Sequence, residues 1–264
     1  MRIIFILFQF LFSLTSNPTM FKFESMLLSP PPPPPQIESD DTQVFHTQKG
    51  VRYLRFMPSQ SEEEVVYTVL YMHSGPESID DGLVHIIPAV MADTLQAAVY
   101  VPDIYDPQMH SELMAQLQRD CLDTRPLVVY GHGYGCVAAT HMAAAHNTHA
   151  LVLRSPPLSL RTLVRDTHPL TRLVPHMFDF LLVPDDCADI RGALQQCLEQ
   201  HVPTLILRLS SDSVVPPAHV RRVVEFACAV ARRPTIVTCR SMDGTHGFVR
   251  PHVLVEAIQQ FLLF

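Results

Sequence analysis

The sequence predicts an α/β protein with a mostly parallel central sheet and helices on both faces, and three observations carry that expectation. Short, nearly continuous apolar runs, such as residues 65–72 and 127–130, suit strands buried on both faces. Between the runs lie stretches with helical spacing, among them Met109, Leu113, Leu117 and Cys121, four residues apart on one helix face. The two kinds of segment alternate to the C-terminus, as they do where parallel strands are joined by helical crossovers.

Each element can be justified in chain order. Residues 44–46 and 51–57 alternate apolar and polar around Gly50 and read as a hairpin. Residues 65–72 form the first fully buried strand. Residues 79–96 have helical spacing, and Pro88 within them is expected to kink the helix or mark a shift. A strand is expected at 97–101, a helix within 107–122, and a strand, sharp turn and helix over 127–146. Beyond a proline-broken stretch at 156–186, helices are expected at 187–200, 218–231 and 249–264, with strands at 204–209 and 235–239.

A chain of 264 residues fits one such domain, here assigned to 43–264. At that size most of the unfolded chain's surface can be buried without a metal or disulfide staple. Hydrophobic residues make up 47% and charged residues 17%, a balance that suits a buried sheet. The formal net charge of −7 argues against nucleic acid as the main partner. Six cysteines are scattered without a C-x-x-C pair and read as reduced structural thiols, which favours the cytoplasm, while the N-terminus leaves membrane association or secretion open.

Residues 1–42 read as an apolar N-terminus and a proline-rich linker. The run 3–12 is too short to span a bilayer. It suits a secretory signal core, an anchor giving membrane association, or a segment upstream of a true start at Met20 or Met26. The prolines at 30–35 form a stiff polyproline spacer or a ligand for a proline-binding module.

The most informative stretch is Leu127-Val128-Val129-Tyr130-Gly131-His132-Gly133-Tyr134-Gly135-Cys136. It has the layout of the G-x-S-x-G nucleophile elbow, in which a strained turn lifts a serine above the end of a buried strand. Gly131 and Gly135 stand where that turn leaves no room for side chains, but the central residue is Gly133 rather than serine. Three other stretches follow the same pattern. Residues 67–78 (YTVLYMHSGPES) resemble a core strand and its H-G-N-type loop, 204–216 (TLILRLSSDSVVP) a strand and acid-bearing loop, and 243–247 (DGTHG) a histidine-bearing loop. Together with 151–159 they make the chain similar to α/β-hydrolases, closest to the small esterases and thioesterases that include protein depalmitoylases. The resemblance covers roughly residues 43–264 and implies the α/β-hydrolase fold with a small lid at 156–186.

What the resemblance implies for the site is uneven. Asp212 would be the acid and His246 the base, while Gly133 would be the vacant nucleophile position. Oxyanion stabilisation would fall to the backbone N–H groups of Tyr134 and Gly75, although Pro76 removes one neighbouring donor. Glycine has no hydroxyl or thiol, so the expected product of this descent is an impaired hydrolase that keeps a small acyl-like ligand or a protein partner. The alternative is an active esterase, thioesterase or peptidase-like enzyme with a displaced nucleophile. Ser74 in the oxyanion loop and Cys136 in the first turn of the elbow helix are the candidates, the latter because a helix N-terminus lowers a thiol's pKa. A water attacking with His246 as base is a further option. No metal or other cofactor is expected, since His141 and His146 are five residues apart and do not share a helix face. His132 reads as structural.

Overall fold

A computed structural model of the chain describes residues 44–47, 50–59, 65–74, 79–80, 82–103, 112–117, 125–159, 162–163, 166 and 189–263. The N-terminal apolar run, the proline run, Gly75, Pro76, Met109, Cys121 and most of the expected lid lie outside the described residues. The chain divides into a segment Met1–Gln36 and a compact unit Ile37–Phe264.

The compact unit is organised by one eight-stranded sheet. In chain order the elements are β1 (Val44–His46), β2 (Arg52–Phe56), β3 (Tyr67–Met72), α1 (Gly82–Leu95), β4 (Ala97–Pro102), β5 (Leu127–His132), α2 (Gly135–Ala145) and β6 (Ala150–Arg154). They continue with α3 (Arg191–Glu199), β7 (Thr204–Leu209), α4 (Pro217–Val230), β8 (Val237–Met242) and α5 (Pro251–Leu262). The strand order across the sheet is β1-β2-β4-β3-β5-β6-β7-β8. β1 and β2 pair antiparallel at one edge, as does β2 with β4, and the remaining neighbours are parallel.

Period-two alternation along each strand divides the core into two layers. Val69 and Tyr71 of β3, with Val128 and Tyr130 of β5, join the layer beneath α1 and α5. Leu70 and Met72, with Val129 of β5, join the layer beneath α2, α3 and α4. The inner strands therefore carry apolar side chains on both faces, which is why they read as continuous apolar runs.

Several element boundaries differ from expectation by a few residues. Pro88 sits inside α1, which runs unbroken from Gly82 to Leu95. Val84, Met91, Ala92 and Leu95 of this helix are buried. Burial of each large apolar side chain contributes about 1.5–3 kcal/mol, which together outweighs the roughly 3 kcal/mol that an interior proline costs. The last strand is Val237–Met242 rather than 235–239, because Pro234–Ile236 forms a 3-10 turn that delays strand pairing. No helix among the described residues is long and apolar enough to cross a membrane.

Candidate active site

The sheet sets the site at the C-terminal ends of its parallel strands. β5 ends in the tight turn predicted from its glycines. Gly133 adopts φ +53°, in the left-handed region, and its N–H donates to the Arg154 carbonyl at 2.9 Å. The three glycines of the turn are not equivalent. A Cβ on Gly131 would lie 2.6 Å from the Cys136 Cα, and one on Gly135 would lie 2.3 Å from the His73 carbonyl oxygen. Both contacts are with backbone, so these positions admit no side chain. A Cβ on Gly133 would instead meet three side-chain atoms: Ser74 Oγ at 2.5 Å, and His246 Cε1 and Nε2 at 2.8 Å each.

Asp212 follows β7 and His246 follows β8, and the two loops are joined by the Ser211 N–H, which donates to the Gly244 carbonyl at 3.1 Å. His246 Nδ1 lies 3.0 Å from Asp212 Oδ2. The other carboxylate oxygen, Oδ1, accepts the N–H groups of Val214 and Val215 at 2.9 and 2.8 Å. These bonds fix the rotamer of a nearly buried carboxylate. Burial pushes the Asp212 pKa up, but the hydrogen bond and charge of His246 overcome it and hold it below the ordinary value. The far nitrogen of the histidine, Nε2, lies 3.1 Å from Ser74 Oγ. Asp212, His246 and Gly133 thus meet at one point, and the Ser74 hydroxyl meets them there.

Two buried residues support this arrangement: Arg154, which sequence reasoning passed over, and His132, which it read as structural. Arg154, at the end of β6, is 1% exposed, and its Nη2 donates to the His246 carbonyl at 2.7 Å. Through its own carbonyl it also accepts from Gly133 and from the Cys136 thiol, so one residue ties the elbow to the histidine loop. The available signal was an arginine closing the apolar run 150–153, since a buried guanidinium demands acceptors. His132 lies under His246, with ring centroids 4.6 Å apart. Burial, with the charges of Arg154 and His246 adding, pushes its pKa well below the ordinary value. A neutral His132 packs its ring against His246, tilted by 34°.

Cys136 does not have the environment expected of a displaced nucleophile. It is fully buried and its thiol donates to the Arg154 carbonyl at 3.3 Å. Burial pushes its pKa up, overriding the helix N-terminus. Its Cα backs onto Gly131, on the core side of the turn. Tyr134 precedes α2 with helical φ and ψ, and its side chain is partly exposed. Among the described residues no group of three His, Cys, Asp or Glu side chains could hold a metal ion.

No protein-family model matches the sequence, and no curated protein matches it. Solved structures do match the fold. Est1E from Butyrivibrio proteoclasticus is 16% identical with a TM-score of 0.61, over 84% of this chain and 97% of that one. Carboxyl esterase 2 from the fungus Tuber melanosporum is 14% identical with a TM-score of 0.61, over 84% and 85%. The esterase Pf2001 from Pyrococcus furiosus is 16% identical with a TM-score of 0.58, over 84% and 88%. Identities this low speak to the fold alone. Sheet order, the turn after β5 and these likenesses agree that the chain has the α/β-hydrolase fold.

Proposed function

We propose that this chain hydrolyses acyl esters or thioesters, with His246 as general base and Asp212 as the group that orients it. The observation that carries this reading is the series Ser74 Oγ, His246 Nε2, His246 Nδ1, Asp212 Oδ2, with contacts of 3.1 and 3.0 Å. Asp212 on Nδ1 holds the ring in the tautomer whose Nε2 can accept a proton, and it stabilises the imidazolium that results. A hydroxyl on Nε2 is what such a base acts upon. The Tyr134 and Gly75 N–H groups are the proposed donors to the oxyanion. Esterases among the structural neighbours support ester chemistry, and the sequence resemblance to depalmitoylases adds thioesters.

Gly133 favours a second reading, in which hydrolysis is impaired and the site retains a small acyl-like ligand or a protein partner. The two part on one assay. Purified full-length protein would be tested against short and long acyl esters and acyl thioesters, beside His246→Ala. Hydrolysis predicts turnover that falls by about 10³-fold or more in the variant. If the native protein leaves every ester and thioester at the uncatalysed rate, the hydrolase reading fails and the binding reading takes its place.

A further inference from the structure

Hydrolysis through a covalent intermediate needs a nucleophile at this site, and Gly133 cannot supply one. We propose that Ser74, two residues beyond β3, is that nucleophile, placed where the side chain of an elbow serine would otherwise stand; the proposal rests on the acyl-hydrolase reading above.

Three observations converge on Ser74. The first is register. β3 and β5 are parallel neighbours, and Met72 pairs with Gly131. Ser74 and Gly133 are each two residues beyond that rung, so they leave the sheet side by side, about 4.8 Å apart in the strand-to-strand direction. The second is space. A Cβ on Gly133 would come within 2.5 Å of Ser74 Oγ, so the two positions compete for one volume. A side chain at 133 and the present position of the Ser74 hydroxyl exclude one another. The third is the hydrogen bond itself, since Ser74 Oγ lies 3.1 Å from the one histidine nitrogen not occupied by Asp212.

The sequence shows the matching exchange. The H-G-N-type loop that 73–75 resembles has glycine at the position of Ser74, and the G-x-S-x-G elbow has serine at the position of Gly133. Here each position holds the other's residue, so the site keeps one hydroxyl and one glycine. Cys136, the other displaced candidate, is sealed in the core.

The chemistry closes with these groups. Ser74 Oγ attacks the acyl carbonyl carbon while His246 Nε2 takes the hydroxyl proton. The tetrahedral oxyanion collapses, the bond from carbonyl carbon to the alkoxy or thio group breaks, and His246 returns the proton to that leaving group. Water then attacks the acyl-Ser74 ester and gives its proton to His246. Ser74 Oγ leaves as its bond to the acyl carbon breaks, and His246 reprotonates it. The sum is ester or thioester plus water giving carboxylic acid plus alcohol or thiol, with no other reactant. α2 begins two residues after Gly133. The positive end of its dipole therefore lies beside this site, where it would favour negative charge on the oxyanion.

The test uses the full-length protein and an alkyl fluorophosphonate, which phosphonylates activated serine hydroxyls with loss of fluoride. Peptide mass spectrometry is expected to find the adduct on Ser74 in the native protein and to lose it in His246→Ala. Ser74→Ala should lower ester turnover by about 10³-fold or more, and Ser74→Cys should transfer reactivity to a thiol that iodoacetamide alkylates. Gly133→Ser alone should lower turnover, by crowding Ser74. The exchange Ser74→Gly with Gly133→Ser should restore His246-dependent turnover and move the adduct to position 133. If Ser74→Ala retains turnover while His246→Ala abolishes it, the nucleophile is water or another group; the hydrolase reading then stands and this inference falls. Loss of turnover in Ser74→Ala without an adduct on Ser74 in the native protein would make Ser74 a positioning hydroxyl and also overturn it. A native protein inert toward every ester and thioester overturns both.

Discussion

The turn after β5 and the residues just beyond β3 sit side by side at the same end of the sheet, and they bring different groups to His246. The β5 turn has the backbone: left-handed Gly133, two flanking glycines pressed against backbone atoms, and the start of α2. It has no reactive side chain. Ser74, just beyond β3, carries the hydroxyl that touches His246. The difference separates the backbone geometry of an elbow from the hydroxyl that reaches the histidine. The geometry is enforced by close backbone packing, which any side chain would break. The hydroxyl needs only to reach Nε2, and the neighbouring parallel strand in register delivers that of Ser74.

The flanking and central glycines offer the sharpest way to break this comparison. Gly135→Ala should destabilise the fold by about 3 kcal/mol or more, because a rigid carbonyl oxygen cannot retreat from the new Cβ. Gly133→Ala should cost less, about 1–2 kcal/mol for the left-handed conformation, since the atoms it meets are side-chain tips. Chemical denaturation of both variants would check the order. If Gly133→Ala proved the more damaging, the elbow's centre would be as rigid as its flanks, and Ser74 could not share its space on the terms described.

Arg154 links the two loops, so its replacement should loosen the site without unfolding the sheet. Arg154→Met keeps bulk and removes the 2.7 Å bond to the His246 carbonyl. Its expected effect is a fall in kcat of about 10- to 100-fold with KM little changed, as for a residue that positions a catalytic group. Steady-state kinetics on a soluble ester would read it, and a change confined to KM would mean that Arg154 contacts substrate instead.

The smallest effect concerns acid. The Asp212 pKa is held below its ordinary 3.8 in the fold. Its pairing therefore adds stability that is fully present above that value and is lost as pH falls through the lower folded one. Native protein and Asp212→Asn should differ in thermal midpoint at neutral pH and converge in strong acid. A difference that persists unchanged to low pH would show that the carboxylate's charge is not what the fold uses.

The fold was legible because apolar runs and helical spacing report burial on both faces of a strand and one face of a helix. The acid and histidine loops were legible because turn residues punctuate them: Ser210 to Ser213 after one strand, Gly244 and Gly247 around the histidine. Cys136 was misplaced because helix position suggested a reactive thiol, whereas packing of α2 on β5 buries it. Arg154 was passed over because its acceptor, the His246 carbonyl, lies 92 residues away. The start of β8 moved because a short 3-10 turn precedes it.

The sequence by itself determined the strand and helix order, the residue types available for chemistry and the glycine at the elbow's centre, since all of these are local in the chain. It could name Ser74 and Cys136 as candidates but could not rank them. Only the tertiary structure decided that Ser74, 172 residues from His246 in sequence, shares a hydrogen bond with it. The physical reason is the pairing of β3 with β5, a long-range register that places residue 74 beside residue 133 and brings its hydroxyl into the space the glycine leaves free.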